Sequence, residues 1–168
     1  MNERPARILT IDDEQMVREI LADYLEDSGF EVTQARDGRA GVEMIRDEQP
    51  DLVLCDLRMP GMDGLQVLAT VTREFPELPI LVVSGMGGMS DAIQALKLGA
   101  WDYVTKPIED MAVLEHAINH ALERARLRRE NREHREHLEG VNEQLRQTVR
   151  QLQEDEAAAR RIQFQLLP

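Results

Sequence analysis

The sequence predicts an α/β fold: a five-stranded, parallel, doubly wound sheet followed by a long helix that forms a coiled coil. Three observations predict it. Short apolar runs alternate with helix-period segments through residue 108, the signature of successive β-α units. Two of those runs, Ala6-Arg7-Ile8-Leu9-Thr10-Ile11 and Leu52-Val53-Leu54-Cys55, are almost purely apolar, as strands covered on both faces must be. Beyond Asp110 the turn signals stop: Gly140 is the one glycine, and no proline occurs before Pro168.

The first strand spans residues 6–11. Residues 14–28 place Val17, Ile20, Leu21, Tyr24 and Leu25 at helical spacing, and Gly29 stops that helix. Phe30 to Ala35 is the second strand. Gly38 to Glu48 is a helix with Ala40, Met44 and Ile45 inward, and Pro50 follows its end. Asp51 to Cys55 is the third strand, and residues 64–75 form a helix on Leu65, Leu68 and Val71. Pro79 to Ser84 is the fourth strand. Ser90 is expected to N-cap a short helix that runs to Leu98 and closes at Gly99. Trp101 to Val104 is the fifth strand. With strands one and three side by side in the centre, the order is 2-1-3-4-5, a flavodoxin-like arrangement. The default ligand site is then the crevice outside the carboxyl ends of strands one and three.

Residues 1–125 therefore read as one domain and 126–168 as a helical linker. Leu114, Ile118, Ala121 and Ala125 form a stripe that can cover the sheet. Further on, a seven-residue spacing runs through Leu127, Asn131, His134, Leu138, Val141, Leu145, Thr148, Leu152, Asp155, Ala159, Ile162 and Leu166. Unbroken from Asp110, this helix would span roughly 85 Å at 1.5 Å per residue. Gly140 falls on an outer heptad position; it weakens the helix by about 1 kcal/mol without opening the seam. Arg126–Glu130, Arg129–Glu133, Arg132–Glu136 and Arg135–Glu139 stand four apart, so the arginines read as a salt-bridged helix surface. The heptads predict a parallel homodimer, and Asn131 in the seam favours two strands in one register.

Composition narrows the function. The chain has 168 residues, 42% of them hydrophobic and only 4% aromatic, so the core is expected to be aliphatic. The net charge of −12 lies almost entirely in residues 1–109, where acids outnumber bases about two to one. That balance argues against nucleic-acid binding and suits a cation or a basic partner. The single cysteine, Cys55, excludes an intramolecular disulfide. With no apolar run of 18 residues and no leader pattern, the chain is expected to be soluble and cytoplasmic.

The polar residues at the strand ends carry the chemistry. Asp12 and Asp13 end strand one, Asp56 ends strand three, Ser84 ends strand four, and Lys106 follows strand five with Pro107 behind it. All converge on one edge of the sheet. Crowded carboxylates repel unless one is protonated or a cation sits among them. Hard oxygen ligands suit Mg²⁺. A lysine and a hydroxyl opposite the acids suit the oxygens of a transferring phosphoryl group. Together they point to a nucleophilic aspartate, a divalent metal and phosphoryl chemistry. "GMGGMS" (Gly85–Ser90) fits neither GxGxxG nor GxxxxGK, so it reads as a pliable loop rather than a nucleotide cradle. His116 and His120, four apart, lack the acidic context of a metal pair.

In "IDDE" (Ile11–Glu14), "DLRMPGMDG" (Asp56–Gly64), "VVS" (Val82–Ser84) and "GAWDYVTKP" (Gly99–Pro107), residues 5–125 resemble the receiver domain of two-component response regulators. The resemblance implies that Asp56 is the phosphoacceptor, supplied by a histidine kinase, a phosphotransfer protein or a small donor. It implies Mg²⁺ or Mn²⁺ held by Asp13, Asp56 and the backbone carbonyl of Arg58, with Asp12 in support. Ser84 and Lys106 would grip phosphoryl oxygens, Ser84 and Tyr103 would act as the switch pair, and Lys106-Pro107 would be a cis peptide. "AARRIQFQLLP" (Ala158–Pro168) resembles the start of the phosphatase-like domain in receiver-linked PPM/PP2C-type phosphatases, a group that includes stress-sigma-factor regulators. The chain is thus expected to be a receiver and linker cut before an output domain, not itself an enzyme beyond self-catalysed transfer to Asp56. Two alternatives stand beside it: an aspartate-nucleophile phosphohydrolase, for which "DLR" lacks a second acid and no cap insertion is visible, and a purely structural dimeriser.

Overall fold

The computed structural model describes residues 3–85 and 88–167. Met86 and Gly87 of the glycine loop, and Pro168 of the terminal segment, lie outside them. Five strands, β1 (Arg7–Ile11), β2 (Glu31–Ala35), β3 (Leu52–Cys55), β4 (Ile80–Ser84) and β5 (Asp102–Thr105), alternate with α1 (Gln15–Asp27), α2 (Gly38–Glu48), α3 (Gly64–Glu74), α4 (Gly88–Lys97) and α5 (Met111–Leu166). The sheet has the expected order β2-β1-β3-β4-β5, and every pairing is parallel.

Side chains alternate across the pleat, which divides the core in two. Leu9, Ile11, Val53, Cys55, Ile80 and Val82 face the side covered by Val42 and Ile45 of α2 and Val67, Leu68 and Val71 of α3. Ile8, Leu52, Leu54, Leu81, Val83 and Val104 face Leu21 and Leu25 of α1 and Leu114, Ile118 and Ala121 of α5. That is why β1 and β3 contain no alternation: both faces are buried.

Local chemistry sets the helix ends. The Asp37 carboxylate accepts from the Ala40 amide at 2.8 Å and caps α2. Asp63 and Gln66 form a reciprocal capping box at α3. At the far end of α2, the Arg7 guanidinium donates to the free carbonyls of Glu48 and Gln49.

Several expectations are corrected. Ser90 lies inside α4, which begins at Gly88, so Ser90 is not the N-cap. The fifth strand is Asp102–Thr105 rather than Trp101–Val104, because Thr105 pairs with Ser84 and draws the strand one residue further. Ile20 is 56% exposed; Leu21, Ala22 and Leu25 define the buried stripe of α1, and Ile20 falls at its edge. In α2 Ala40 and Met44 point inward as expected and pack, partly buried, against the core, and Gly38, Gly41 and Val42 join Ile45 as its buried residues.

The chain divides into two compact units, residues 1–126 and 127–168. Within the first, Leu114 is completely buried, the Tyr24 hydroxyl donates to Glu115 at 2.9 Å, and the Arg124 guanidinium stands 4.9 Å over the Trp101 ring. Leu114→Ala is therefore expected to destabilise the first unit by about 3 kcal/mol, the usual cost of a buried leucine plus its cavity. Urea denaturation measures it, and a loss below about 1 kcal/mol would mean that this stretch of α5 is not part of the core. The second unit is helical through Leu166, with Leu127, Leu138, Val141, Leu145, Leu152 and Ile162 all exposed. Arg132 and Glu136 stand 4.0 Å apart, and Arg160–Glu156 is an i,i+4 pair at 2.7 Å; Arg126 also pairs back to Glu123 at 2.6 Å.

Candidate phosphoryl-transfer site

The site is built at the carboxyl edge of the three central strands and β5. Asp12 follows β1 directly, and its carboxylate accepts from the Glu14 amide at 2.9 Å, which turns the chain into α1. Asp56 follows β3, and its amide donates to the Ile11 carbonyl at 2.9 Å, tying the two strand ends together. Ser84 is the last residue of β4 and is 2% exposed. The Lys106 amide donates to the Ser84 carbonyl at 3.0 Å, so the lysine leaves β5 at the level of the hydroxyl. The Lys106–Pro107 peptide bond is cis.

Lys106 crosses the crevice. Its Nζ donates to Asp12 Oδ2 at 2.6 Å and stands 3.3 Å from Asp56 Oδ2. These carboxylate side chains are 5% and 7% exposed and the lysine 15%. Burial pushes the Asp12 carboxyl above its usual range, and the Lys106 hydrogen bond only partly offsets this. Burial acts to lower the Lys106 ammonium, but bonds and charge from Asp12 and Asp56 outweigh it and hold its pKa above the ordinary value.

Asp12, Asp13 and Asp56 offer carboxylate oxygens within 4.8 Å of one another, the one such group of potential metal ligands among the described residues. Asp13 is exposed and closes the solvent side. Three carboxylates against one ammonium leave uncompensated negative charge in a buried crevice. Hard oxygen donors with that surplus fit a small divalent cation such as Mg²⁺. His116 and His120 join no such group among the described residues.

The loop after Asp56 answers to sterics. Gly61 has φ +79°, a left-handed conformation that glycine adopts freely. Gly64 serves a different purpose: a Cβ there would lie 2.1 Å from the Asp56 carbonyl oxygen. The Arg58 amide points back at Asp56 Oδ1, 3.3 Å away. Tyr103 is half-buried and packs against the α2–α3 side of the core.

Two neighbours escaped sequence reasoning. Arg18, one turn into α1, donates to the Asp12 carbonyl at 2.6 Å. Asp91, in the first turn of α4, pairs with Arg58 at 2.9 Å. Arg18 has a weak local signal, a cation a turn beyond a strand-end acid. The Arg58–Asp91 pair spans 33 residues and leaves no sequence pattern.

An acid cluster, a buried serine and a bridging lysine at the carboxyl edge of a 2-1-3-4-5 sheet are the arrangement of a receiver-type α/β fold. The chain belongs to the response regulator receiver domain family, whose family model matches residues 8–119. It is 34% identical over 125 residues to the transcriptional regulatory protein GlrR of Escherichia coli, covering 74% of this chain and 28% of that protein. It is 38% identical over 126 residues to the nitrogen assimilation regulatory protein NtrX of Azorhizobium caulinodans, covering 73% and 27%. Among solved structures it resembles NtrX from Brucella abortus (36% identity, TM-score 0.71, 75% of this chain and 29% of that one). It also resembles a receiver domain protein from Clostridium thermocellum (32% identity, TM-score 0.70, 73% and 98%). The chain thus spans only about a quarter of the length of the curated relatives GlrR and NtrX. It is a receiver domain homologous to phosphorylation-dependent response regulators of two-component signalling; receiver domains generally bind Mg²⁺ at an acidic pocket and interact with histidine kinases or phosphotransfer proteins.

Proposed function

We propose that Asp56 is the phosphoacceptor and that residues 1–126 switch a dimerising helix between two states. The observation that carries this reading is the position of Lys106 Nζ, shared between Asp12 and Asp56 at the mouth of the acid cluster. An Asp56 oxygen attacks the phosphorus of a phosphohistidine or small donor, the P–N or P–O bond to the donor breaks, and an acyl phosphate remains on Asp56. Lys106 and the Ser84 hydroxyl receive the phosphoryl oxygens, and Tyr103 turns inward as Ser84 is drawn to the phosphate. Asp12, Asp13, Asp56 and the Arg58 carbonyl would hold Mg²⁺ or Mn²⁺, which neutralises charge on the transferring group. The chain performs one self-catalysed transfer rather than turnover.

The response is a population shift. Its output passes through residues 127–166 of α5, whose exposed apolar seam is covered by a second copy. In a parallel, in-register pair Asn131 faces Asn131, and Glu130 lies five residues before Arg135, the g-to-e spacing that sets opposite charges across the seam. Asp155 facing its copy is the weak layer, so Asp155→Leu tightens the dimer. Most of the length of GlrR and NtrX lies outside the matched part, which supports an output domain coupled to the receiver. GlrR is by name a transcriptional regulator; here the acidic balance of residues 1–109 argues against the receiver itself contacting nucleic acid. Among the described residues no helix is long and apolar enough to cross a membrane, and we place the protein in the cytoplasm beside its kinase.

Incubation with acetyl phosphate and Mg²⁺, followed by mass spectrometry, should place one acid-stable, base-labile phosphoryl group on Asp56 and none in Asp56→Asn. A label on another residue, or none on a folded chain, rejects the reading. Sedimentation at several concentrations with and without beryllofluoride tests the dimer; a monomer throughout rejects that part. A dimer insensitive to beryllofluoride in wild type would favour a scaffold.

A further inference from the structure

We infer that the Arg58 side chain is a positioning group for the phosphoryl, held in reserve by Asp91 of α4. The inference rests on the phosphoacceptor reading of Asp56. Arg58 stands two residues beyond Asp56 and lines the same cavity as Asp13, Asp56, Ser84 and Lys106. Its amide is directed at Asp56, yet its guanidinium is turned away and donates to Asp91 Oδ2 at 2.9 Å. The ion pair joins the loop after β3 to the first turn of α4.

The pair matters because α4 is thinly anchored. Ala95 is its one fully buried described residue, while Met89, Ile93 and Leu96 are 79%, 46% and 47% exposed. Hydrophobic burial that fixes α2 and α3 is largely missing here, so even a weak surface ion pair adds to a thin attachment. A phosphoryl group on Asp56 would bring roughly two negative charges and three acceptor oxygens into the cavity Arg58 lines. A guanidinium prefers such oxygens, which it can grip with two parallel N–H groups, to one partly exposed carboxylate. Arg58 therefore exchanges Asp91 for the phosphoryl oxygens, and α4 loses its tie to the β3–α3 loop. Asp91 competes with the phosphoryl group for one cation, so the latch lowers phosphoryl affinity and couples it to α4 mobility.

The test is a double-mutant cycle on the full chain with beryllofluoride and Mg²⁺ as the phosphoryl probe. Wild type, Asp91→Asn, Arg58→Ala and the double variant are titrated, and hydrogen exchange of residues 89–97 is followed in each state. Asp91→Asn is expected to tighten beryllofluoride binding about threefold and speed exchange in α4 only in the probe-free chain. Arg58→Ala is expected to weaken binding about tenfold, with Arg58→Lys restoring part of it. In the Arg58→Ala background Asp91→Asn should then have no effect. If Asp91→Asn tightens binding equally without Arg58, simple removal of negative charge explains it and the latch is rejected. Unchanged affinity in Arg58→Ala also rejects it. Wild type that fails to bind the probe at all overturns the phosphoacceptor reading instead.

Discussion

Replacing Gly64 with alanine is expected to destabilise the first unit by about 3 kcal/mol or more and to cut phosphoryl acceptance on the order of 100-fold. The added Cβ would lie 2.1 Å from the Asp56 carbonyl oxygen and 2.5 Å from the Leu57 Cα. Neither atom belongs to a flexible side chain that can swing aside. The backbone of Asp56 itself must move, and the 3.0 Å bond from the Gly64 amide to the Leu57 carbonyl moves with it. That bond anchors the start of α3 to the loop after the phosphoacceptor, so fold and site are damaged together. Gly61→Ala is the control. Its glycine has φ +79° but no neighbour within 4 Å of the added atom, so only left-handed strain of about 1–2 kcal/mol applies. Urea denaturation and acetyl phosphate labelling of both variants measure the difference. Equal losses in the two would show that conformation, rather than close approach, explains both glycines.

Lys106→Met is expected to slow transfer to Asp56 about 100-fold, the usual consequence of removing one donor from a developing anion. Methionine keeps most of the stem and deletes the charge. Stability should respond through pH. In the wild type, burial already holds the Asp12 carboxyl above its ordinary range, and the lysine partly restrains that rise. Without the lysine the folded-state pKa climbs further. A carboxyl whose folded pKa exceeds its unfolded value binds more protons when folded, so stability falls as pH rises between the two values. The variant should therefore match wild type best near pH 4 or below and fall behind it towards pH 7, by about 1–2 kcal/mol. Urea melts across that range check the sign. A deficit that is largest in acid, or a wild-type labelling rate, would mean that the ammonium is not the counter-charge of this pair.

The strand order and the convergence of Asp12, Asp56, Ser84 and Lys106 were legible because they follow from patterns that physics makes local. Strands buried on both faces show as unbroken apolar runs, and parallel connections place every carboxyl end on the same edge. The residue after each run then lands in the crevice. Element edges were less legible. Ser90 looks like a cap by residue type, but α4 has already begun at Gly88. Trp101 reads as the start of a strand, yet the pairing of Thr105 with Ser84 sets the register. Ile20 has helical spacing and still lies open, because which edge of an apolar stripe is covered depends on the neighbour packed against it.

The sequence by itself determined the five β-α units, the sheet order, the acids and lysine at the strand ends, and the helical period of residues 111–166. These are short-range consequences of side-chain periodicity and backbone sterics. Only the tertiary structure decided that one ammonium is shared by Asp12 and Asp56, that Gly64 is required by the Asp56 carbonyl, and that Arg58 is turned to Asp91. The first and last depend on distances between segments 33 to 94 residues apart, and the second on how the loop after Asp56 folds back over it. Such distances are set by how the helices pack on the sheet, and no local pattern encodes them.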